Sequence, residues 1–453
     1  MNLYIAHAMK SLLLAVLLHC VTLQAVEPVT LTRHLHGNAD LGEQRDLQAD
    51  WRDGVLKLST AGAELHAWAV INAPKGGWDL GKRGTISTDI ANTGENPVGV
   101  MLWVVGDHGW EAVTDTAVIA AQQTRTFRCN LRETFPDGTP KLNPNHIKQI
   151  QVMLSEPALS RDKQGESSGA PPRLLARITK PVSIEMRTLT AQGDAPEWTP
   201  PQGRLNVPNV EESTPAPGKR VRYRLRGDEP NGLYCVLNLP ENWRANTKHP
   251  VVVEFPGNLF FTPGCYSTGL PEQCVMGYGM TKGRDAICLG MPFVDRLSAK
   301  PVESGWGNAD DTAQYAMQIV EAVCAKFGGD RQNIVLTGFS RGAIACGYIG
   351  LRNPQIASLW KGFHACQHYD GDGWNGATMP GALERAARFQ GKAVFQTDNA
   401  EAKFRPLMDV MKTNVTWAKS GLGAHSTAMF LDDRPSTQKL REWFLQLVEK
   451  TQP

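Results

Sequence analysis

The sequence lacks three features that would point to particular classes of partner. It has almost no net charge, because 47 lysines and arginines oppose 45 acidic residues for a balance of +2, so nothing in the charge favours nucleic acid or an anionic membrane. Its cysteines and histidines do not follow the spacing of a zinc site, and neither a metal nor a cofactor is predicted. Internal repeats and low-complexity tracts are also missing. The 453 residues, 42% of them hydrophobic, are instead expected to form two or three globular domains.

The apolar run near the N-terminus is short. Residues 11–18 follow Lys10 and are almost entirely aliphatic, but a bilayer-spanning helix needs roughly 20 such residues. Leu23-Gln24-Ala25 fits a small-residue cleavage site. The pattern predicts a signal peptide over residues 1–25, and therefore a secreted or periplasmic protein without a stable membrane anchor. A buried N-terminal helix is the less favoured alternative.

Eight cysteines follow that segment, and an oxidising compartment would permit disulfides. Those at 288, 324, 346 and 366 lie in apolar stretches, as is typical of buried thiols. Cys265 and Cys274 share a loop that contains glycine and proline, and they are the pair best suited to a disulfide.

Residues 26–190 alternate short apolar runs with turn residues, which predicts a β-sandwich or jelly roll. Following an export signal, such a domain resembles the carbohydrate-binding-like jelly rolls of polysaccharide-degrading enzymes, a resemblance of architecture rather than of motif. Trp78 and Trp110 lie beside turns, where an exposed indole could stack on a sugar. Packing at the edge of the sandwich is the competing and more favoured interpretation.

A proline-rich segment at 191–218 is predicted to be a linker without regular structure. Beyond it, continuous apolar runs at 251–255, 286–293, 334–337 and 392–396 suit strands that are covered on both faces. Helical patterns lie between the runs, and a last one ends the chain. The alternation predicts a second domain over 219–453 with a doubly wound, mostly parallel sheet.

One motif in this second domain carries chemistry. The apolar strand at 334–337 leads into Gly338-Phe-Ser340-Arg-Gly342, and a small-residue helix follows. This is the nucleophile-elbow pattern, in which flanking glycines permit a strained turn that exposes the serine hydroxyl. On these residues the segment from the linker to the C-terminus resembles the α/β-hydrolase superfamily, in particular secreted carbohydrate esterases and feruloyl-esterase-like enzymes. The resemblance implies an α/β-hydrolase fold with Ser340 as the nucleophile.

In such enzymes the acid and then the histidine follow the serine along the chain. Asp398 comes directly after the run at 392–396, with Glu401 as the second candidate, and His425 lies in a glycine-rich loop after the next apolar segment. His425 would take the proton of Ser340 and later give it to the leaving group. Asp398 would orient the imidazole.

An oxyanion hole needs two backbone donors. The N–H of Arg341 is one candidate, and the turn after the run at 251–255 offers Gly257, Asn258 or Leu259 as the other. For the side chain of Arg341, oxyanion stabilisation, binding of a substrate carboxylate and a structural salt bridge all stay open. Glucuronoyl esterases also have Ser-Arg, but their neighbouring cysteine and lysine are missing here.

Further pocket candidates follow the predicted strand at 362–368, because the carboxyl ends of parallel strands face the substrate crevice. They are His368, Tyr369, Asp370 and Trp374, with Trp306 from another loop. The sequence thus predicts a secreted serine esterase that removes acetyl or feruloyl groups from polysaccharides or small esters. A serine peptidase of the same fold and a non-catalytic glycan-binding protein with an idle triad are the alternatives.

Overall fold

The computed structural model describes residues 27–107, 110–158, 173–175, 177–225, 232–295, 297 and 299–449. The predicted signal segment 1–25 lies outside these residues. Within the described ranges, no helix is both long enough and apolar enough to cross a membrane.

The N-terminal part is a β-sandwich of two antiparallel sheets, as the sequence predicts. The first sheet contains the strands Val29–Thr30, Gln48–Arg52, Val55–Thr60, Arg83–Asn92, Thr124–Asn130, Val182–Met186 and Thr190–Asp194. The second contains Gln44–Arg45, Ala67–Asn72, Val98–Val105, Ala112–Ile119, Gln149–Ala158 and Arg173–Leu175. A core that includes Leu102, Phe127 and Ile184 fills the space between them.

The strand Val98–Val105 is buried at every position. Alternate residues of a strand point to opposite faces, and here Val98, Val100, Leu102 and Val104 enter the sandwich core. Met101, Trp103 and Val105 enter a second cluster that includes Phe261 and Tyr266 of the C-terminal domain. The outer face of the second sheet is therefore covered by the other domain.

The predicted linker at 191–218 contains more structure than its prolines suggest. Thr190–Asp194 pairs with the long strand Arg83–Asn92, and Val210–Glu211 pairs with Arg220–Val221 of the C-terminal sheet. Every proline of the segment lies outside these two strands. Between them the chain passes from one domain to the other: the Trp198 N–H donates to the Gly81 carbonyl of the sandwich over 3.0 Å, and the Leu205 N–H donates to the Leu431 carbonyl of the C-terminal domain over 2.7 Å.

The C-terminal part is built on a nine-stranded sheet in the described chain. In spatial order its strands are Val210–Glu211, Arg220–Tyr223, Cys235–Asn238, Ile287–Gly290, His249–Phe255, Gly329–Phe339, Gly362–Cys366, Ala393–Thr397 and Val415–Ala418. The last six are parallel. Their carboxyl ends lie at one edge of the sheet, where ligands bind in open α/β folds.

Helices cover this sheet, so the predicted α/β architecture is present. They are Met276–Thr281, Ala309–Phe327, Arg341–Tyr348, Pro354–Leu359, Met379–Ala386, Glu401–Met411 and Pro435–Glu449. In Ala309–Phe327 the predicted apolar stripe is buried, the Asn308 side chain caps the first turn by accepting two backbone N–H bonds, and Gly328 ends the helix at φ 77°. A two-stranded hairpin, Phe260–Thr262 with Cys265–Ser267, projects toward the sandwich.

The expected Cys265–Cys274 disulfide is wrong, because both are free thiols. Cys265 packs in a cluster with Trp110 and Met276, whereas the thiol of Cys274 contacts the carbonyl of Glu254. The two side chains are thus held in different surroundings.

Candidate active site

Ser340 occupies a strained turn between the strand Gly329–Phe339 and the helix Arg341–Tyr348. Its φ of 55° and ψ of −120° are rare for a residue with a side chain, and such backbone costs about 1–3 kcal/mol. A Cβ at Gly338 would overlap the carbonyl of Gly342, and a Cβ at Gly342 would overlap that of Phe255. Both glycines of the motif are therefore required by close backbone approach.

Ser340 opens into a cavity of about 190 Å³. Residues from both domains line it, namely Trp110, Asn258, Phe260, Ser340, Arg341, Ile344, His368, Trp374 and His425. Phe260, the first residue of the hairpin Phe260–Thr262 with Cys265–Ser267, is 48% exposed and was not found from the sequence. The cavity thus brings together most of the predicted site residues, which come from loops at the carboxyl ends of different strands.

His425 lies in the loop after the edge strand Val415–Ala418. Its ring centroid is 4.5 Å from that of Phe339, 5.8 Å from that of His368 and 6.4 Å from that of Trp110. Burial, with a smaller contribution from His368, lowers the pKa of His425 to about 4. At neutral pH the imidazole is uncharged, which is the form that can accept a proton.

Asp398 follows the strand Ala393–Thr397 but is held by other partners. Its carboxylate accepts bonds from the Ser420 N–H over 2.7 Å and from the Ser420 hydroxyl over 2.5 Å. The Gln367 amide lies 3.5 Å from the same carboxylate and donates to the Ala424 carbonyl over 2.9 Å. Among the described residues no hydrogen bond joins Asp398 to His425. Gln367 instead links this carboxylate to the residue that precedes His425.

The second acid candidate, Glu401, lies away from the cavity. It is in the first turn of the helix Glu401–Met411, where its half-exposed side chain pairs with Arg405 over 2.9 Å. This is an ordinary surface pair one helical turn apart.

The two candidate oxyanion donors belong to residues that line the cavity, Arg341 and Asn258. The Arg341 N–H stands at the first position of a helix, where no intrahelical acceptor exists. The Gly257 carbonyl accepts a bond from the Arg341 guanidinium over 2.8 Å, and because the N–H and C=O of a trans peptide point in opposite directions, the Asn258 N–H points away from the guanidinium. The Leu259 N–H is already used, since it donates to the Glu303 carbonyl.

The Arg341 side chain has a role that the sequence does not reveal. It is 1% exposed and donates to the carbonyls of Gly257 and Gly269 over 2.8 Å each, to Gly305 over 2.9 Å and to Val302 over 3.3 Å. It also lies 3.9 Å over the Phe293 ring. Burial lowers its pKa to about 9. The guanidinium therefore holds the loops around the cavity together through their carbonyls. Among the described residues it forms no salt bridge.

His368 is fixed by Asp372, which was not among the predicted site residues. Its Nδ1 lies 2.5 Å from Oδ2 of Asp372, four residues further along the chain. That spacing is the only sequence signal for the pair. The arrangement leaves Nε2 available, and His368 is the second imidazole that lines the cavity.

The other predicted pocket residues support the site from outside the cavity lining. Trp306 packs edge-to-face on Trp374, with centroids 5.1 Å apart, and donates its indole N–H to Asn375. Asp370 is buried in a two-bond ion pair with Arg385, at 2.7 and 2.8 Å. Tyr369 packs on Phe404.

The two candidate sugar-binding tryptophans have separate surroundings. Trp78 is 8% exposed and belongs to the sandwich core, so no flat face is open for stacking. Trp110 is 6% exposed and lines the Ser340 cavity. A residue of the sandwich thus reaches the candidate active site.

Comparisons with known proteins give partial likenesses. No protein-family profile and no curated protein matches the sequence. A thermophilic esterase from Thermogutta terrifontis is similar over 55% of this chain and 94% of its own, at 17% identity and a TM-score of 0.34. A family 11 carbohydrate-binding module from Clostridium thermocellum is similar over 38% of this chain and 98% of its own, at 16% identity and a TM-score of 0.26. An exo-beta-agarase is matched over 38% of this chain and only 26% of its own, at 13% identity and a TM-score of 0.26.

Proposed function

We propose that the protein is a serine ester hydrolase. The observation that carries the proposal is the strained Ser340, which opens into a small cavity beside an imidazole that is neutral at physiological pH. A nucleophile, a base and two free backbone donors in one cavity are the parts that acyl transfer requires.

The reaction would proceed through an acyl-enzyme. The Ser340 hydroxyl gives its proton to His425 as Oγ bonds to the ester carbonyl carbon, and the resulting oxyanion is stabilised by the N–H groups of Arg341 and Asn258. The bond to the alcohol then breaks, and the alkoxide takes the proton from His425. Water repeats the sequence, which releases the carboxylic acid and restores Ser340.

Asp398 is proposed as the acid that positions His425. Its carboxylate contacts the Gln367 amide, and this amide donates to the carbonyl of Ala424, the residue before His425. His368, oriented by Asp372, is proposed as a pocket residue that contacts the substrate. Its position between the strand end and His425 supports this role.

The proposed substrates are esters of polysaccharides with a short acyl group. Pockets that enclose drug-sized ligands measure about 300–1,000 Å³, so a cavity of about 190 Å³ suits acetyl better than feruloyl. The aromatic rings of Trp374 and Phe260 suit the C–H faces of a sugar. The predicted export segment also favours an extracellular polymer.

The test is hydrolysis of p-nitrophenyl acetate, a feruloyl ester and a peptide amide by the full chain, with Ser340→Ala and His425→Ala. We expect acetate turnover in the wild type and a loss of about a thousandfold or more in each variant. His368→Ala should retain part of the activity. Peptide turnover would favour the peptidase, and equal rates in the wild type and Ser340→Ala would reject serine catalysis.

A further inference from the structure

We infer that the β-sandwich is a wall of the active site and that Trp110 determines which alcohols the enzyme accepts. This inference rests on the proposed ester hydrolysis and deepens it. It replaces the idea of a separate glycan-binding module with a catalytic pocket that two domains build together.

The position of Trp110 is the first observation. Its ring packs edge-to-face on Phe339, the residue before the nucleophile, with centroids 4.9 Å apart, and it also approaches the ring of His425. A Cβ at Gly257 would lie only 3.0 Å from Cζ2 of this indole. Trp110 is therefore in close contact with the candidate oxyanion loop, the elbow and the candidate base at once.

The second observation is that the sandwich has no open face on this side. Phe261 and Tyr266 of the hairpin pack on Trp68 and Trp103 of the second sheet, at centroid distances between 5.1 and 6.4 Å. The Tyr266 hydroxyl donates to Gln151 of the same sheet. This aromatic interface covers the part of the second sheet that Trp68 and Trp103 occupy.

Two sets of polar contacts also hold the domains together. Arg45 of the sandwich binds both carboxylate oxygens of Glu303 at 2.6 Å. Arg434 of the C-terminal domain binds Asp137 over 2.9 Å and Thr139 over 2.8 Å. Two-point contacts of this kind fix orientation as well as distance, so the position of Trp110 is defined by the docking.

The side of the cavity that Trp110 occupies indicates what it selects. The leaving alcohol must be next to the imidazole that protonates it, and Trp110 is the sandwich residue beside His425. The indole therefore borders the alcohol site, whereas the acyl group extends elsewhere. An indole in this place offers apolar contact area to an alcohol that fills the site, such as a sugar ring, and little to a small aliphatic alcohol.

The experiment compares Trp110→Ala with the wild type on ethyl acetate, on an acetylated xylo-oligosaccharide, and on p-nitrophenyl acetate and butyrate. Loss of a specific apolar wall is worth about tenfold or more in discrimination, so the KM for the sugar ester should rise by at least about that factor. The kcat/KM for ethyl acetate should fall clearly less than that for the sugar ester, and the butyrate-to-acetate ratio should not move, because the acyl site is intact.

Two further variants distinguish a specific effect of Trp110 from misfolding and from the loss of any tryptophan. Trp110→Phe retains a ring and should keep most of the sugar preference even if Trp110→Ala folds poorly. Trp198→Ala removes an indole outside the cavity and should change nothing. An unchanged sugar-to-ethyl ratio in folded Trp110→Ala, or a shift in acyl preference alone, would overturn the inference. Loss of all activity in Ser340→Ala tests the proposed function separately.

Discussion

The Arg341 guanidinium and the Gly257 carbonyl are joined by a hydrogen bond of 2.8 Å across 84 residues of sequence. This bond fixes the peptide that carries the Asn258 N–H, and it does so from the residue that follows the nucleophile. The same residue thus supplies one candidate oxyanion donor with its backbone and orients the other with its side chain.

Replacing Arg341 by methionine should therefore reduce catalysis as well as stability. Loss of one oxyanion donor typically costs about 10²–10³ in kcat, and each buried carbonyl left without a partner costs about 1–3 kcal/mol. We expect both a lower melting temperature and a kcat reduced by at least about tenfold. Steady-state kinetics and thermal unfolding measure the two effects.

The control is Arg352→Met, which breaks the more exposed pair with Asp310 and should alter neither quantity much. An Arg341→Met enzyme with normal kcat and a lower melting temperature would mean that the guanidinium only stabilises the loops.

The pH dependence of catalysis should reflect the desolvated state of His425. Its pKa of about 4 lies below the ordinary 6.5, and the neutral form is the active one. The kcat/KM for p-nitrophenyl acetate should therefore remain level as pH falls through 6.5 and decline about tenfold per unit only below the pKa. The folded state binds fewer protons than the unfolded chain between these two values, so stability also decreases as pH falls through that window.

Circular dichroism at each pH distinguishes unfolding of the protein from protonation of His425. Because His368 contributes to the lowered pKa, His368→Ala should move the acid limb of residual activity upward. A midpoint near 6.5 in the wild type would contradict the assignment of a buried neutral imidazole as the base.

The elbow should tolerate no side chain at its first glycine. In Gly338→Ala the new methyl group would overlap the Gly342 carbonyl and the Ala343 nitrogen, which are backbone atoms rather than the end of a flexible side chain. We expect little folded protein, or a melting temperature far below that of the wild type. Gly84→Ala in a sandwich strand is the matched substitution, because a Cβ there meets nothing within 4 Å. Equal melting temperatures for the two variants would be incompatible with this turn.

The local parts of the structure could be predicted, and the long-range contacts could not. The glycine spacing around Ser340 predicts the elbow because that constraint lies within five residues. The partners of Arg341 are 36 to 84 residues away in sequence, and no local pattern encodes them. Asp398 follows the expected strand, but whether its carboxylate bonds Ser420 or His425 depends on how a loop closes.

One signal of domain docking was present in the sequence. The run at 98–105 is apolar without alternation, which is typical of a strand buried on both faces, and a free sandwich would leave one face in water. The second face of this strand packs against the hairpin of the other domain, through Met101, Trp103 and Val105. The sequence does not show which segment covers these residues, because the hairpin lies more than 150 residues further along the chain.

The shared cavity also affects how the protein matures. Because Trp110 comes from the sandwich and Ser340 from the domain that follows it, the complete cavity does not exist until both halves have folded and met. Selectivity toward sugar esters should consequently appear later in refolding than secondary structure does, with a lag equal to the docking step. The rate at which activity toward such an ester appears during refolding then measures the rate at which the two domains assemble.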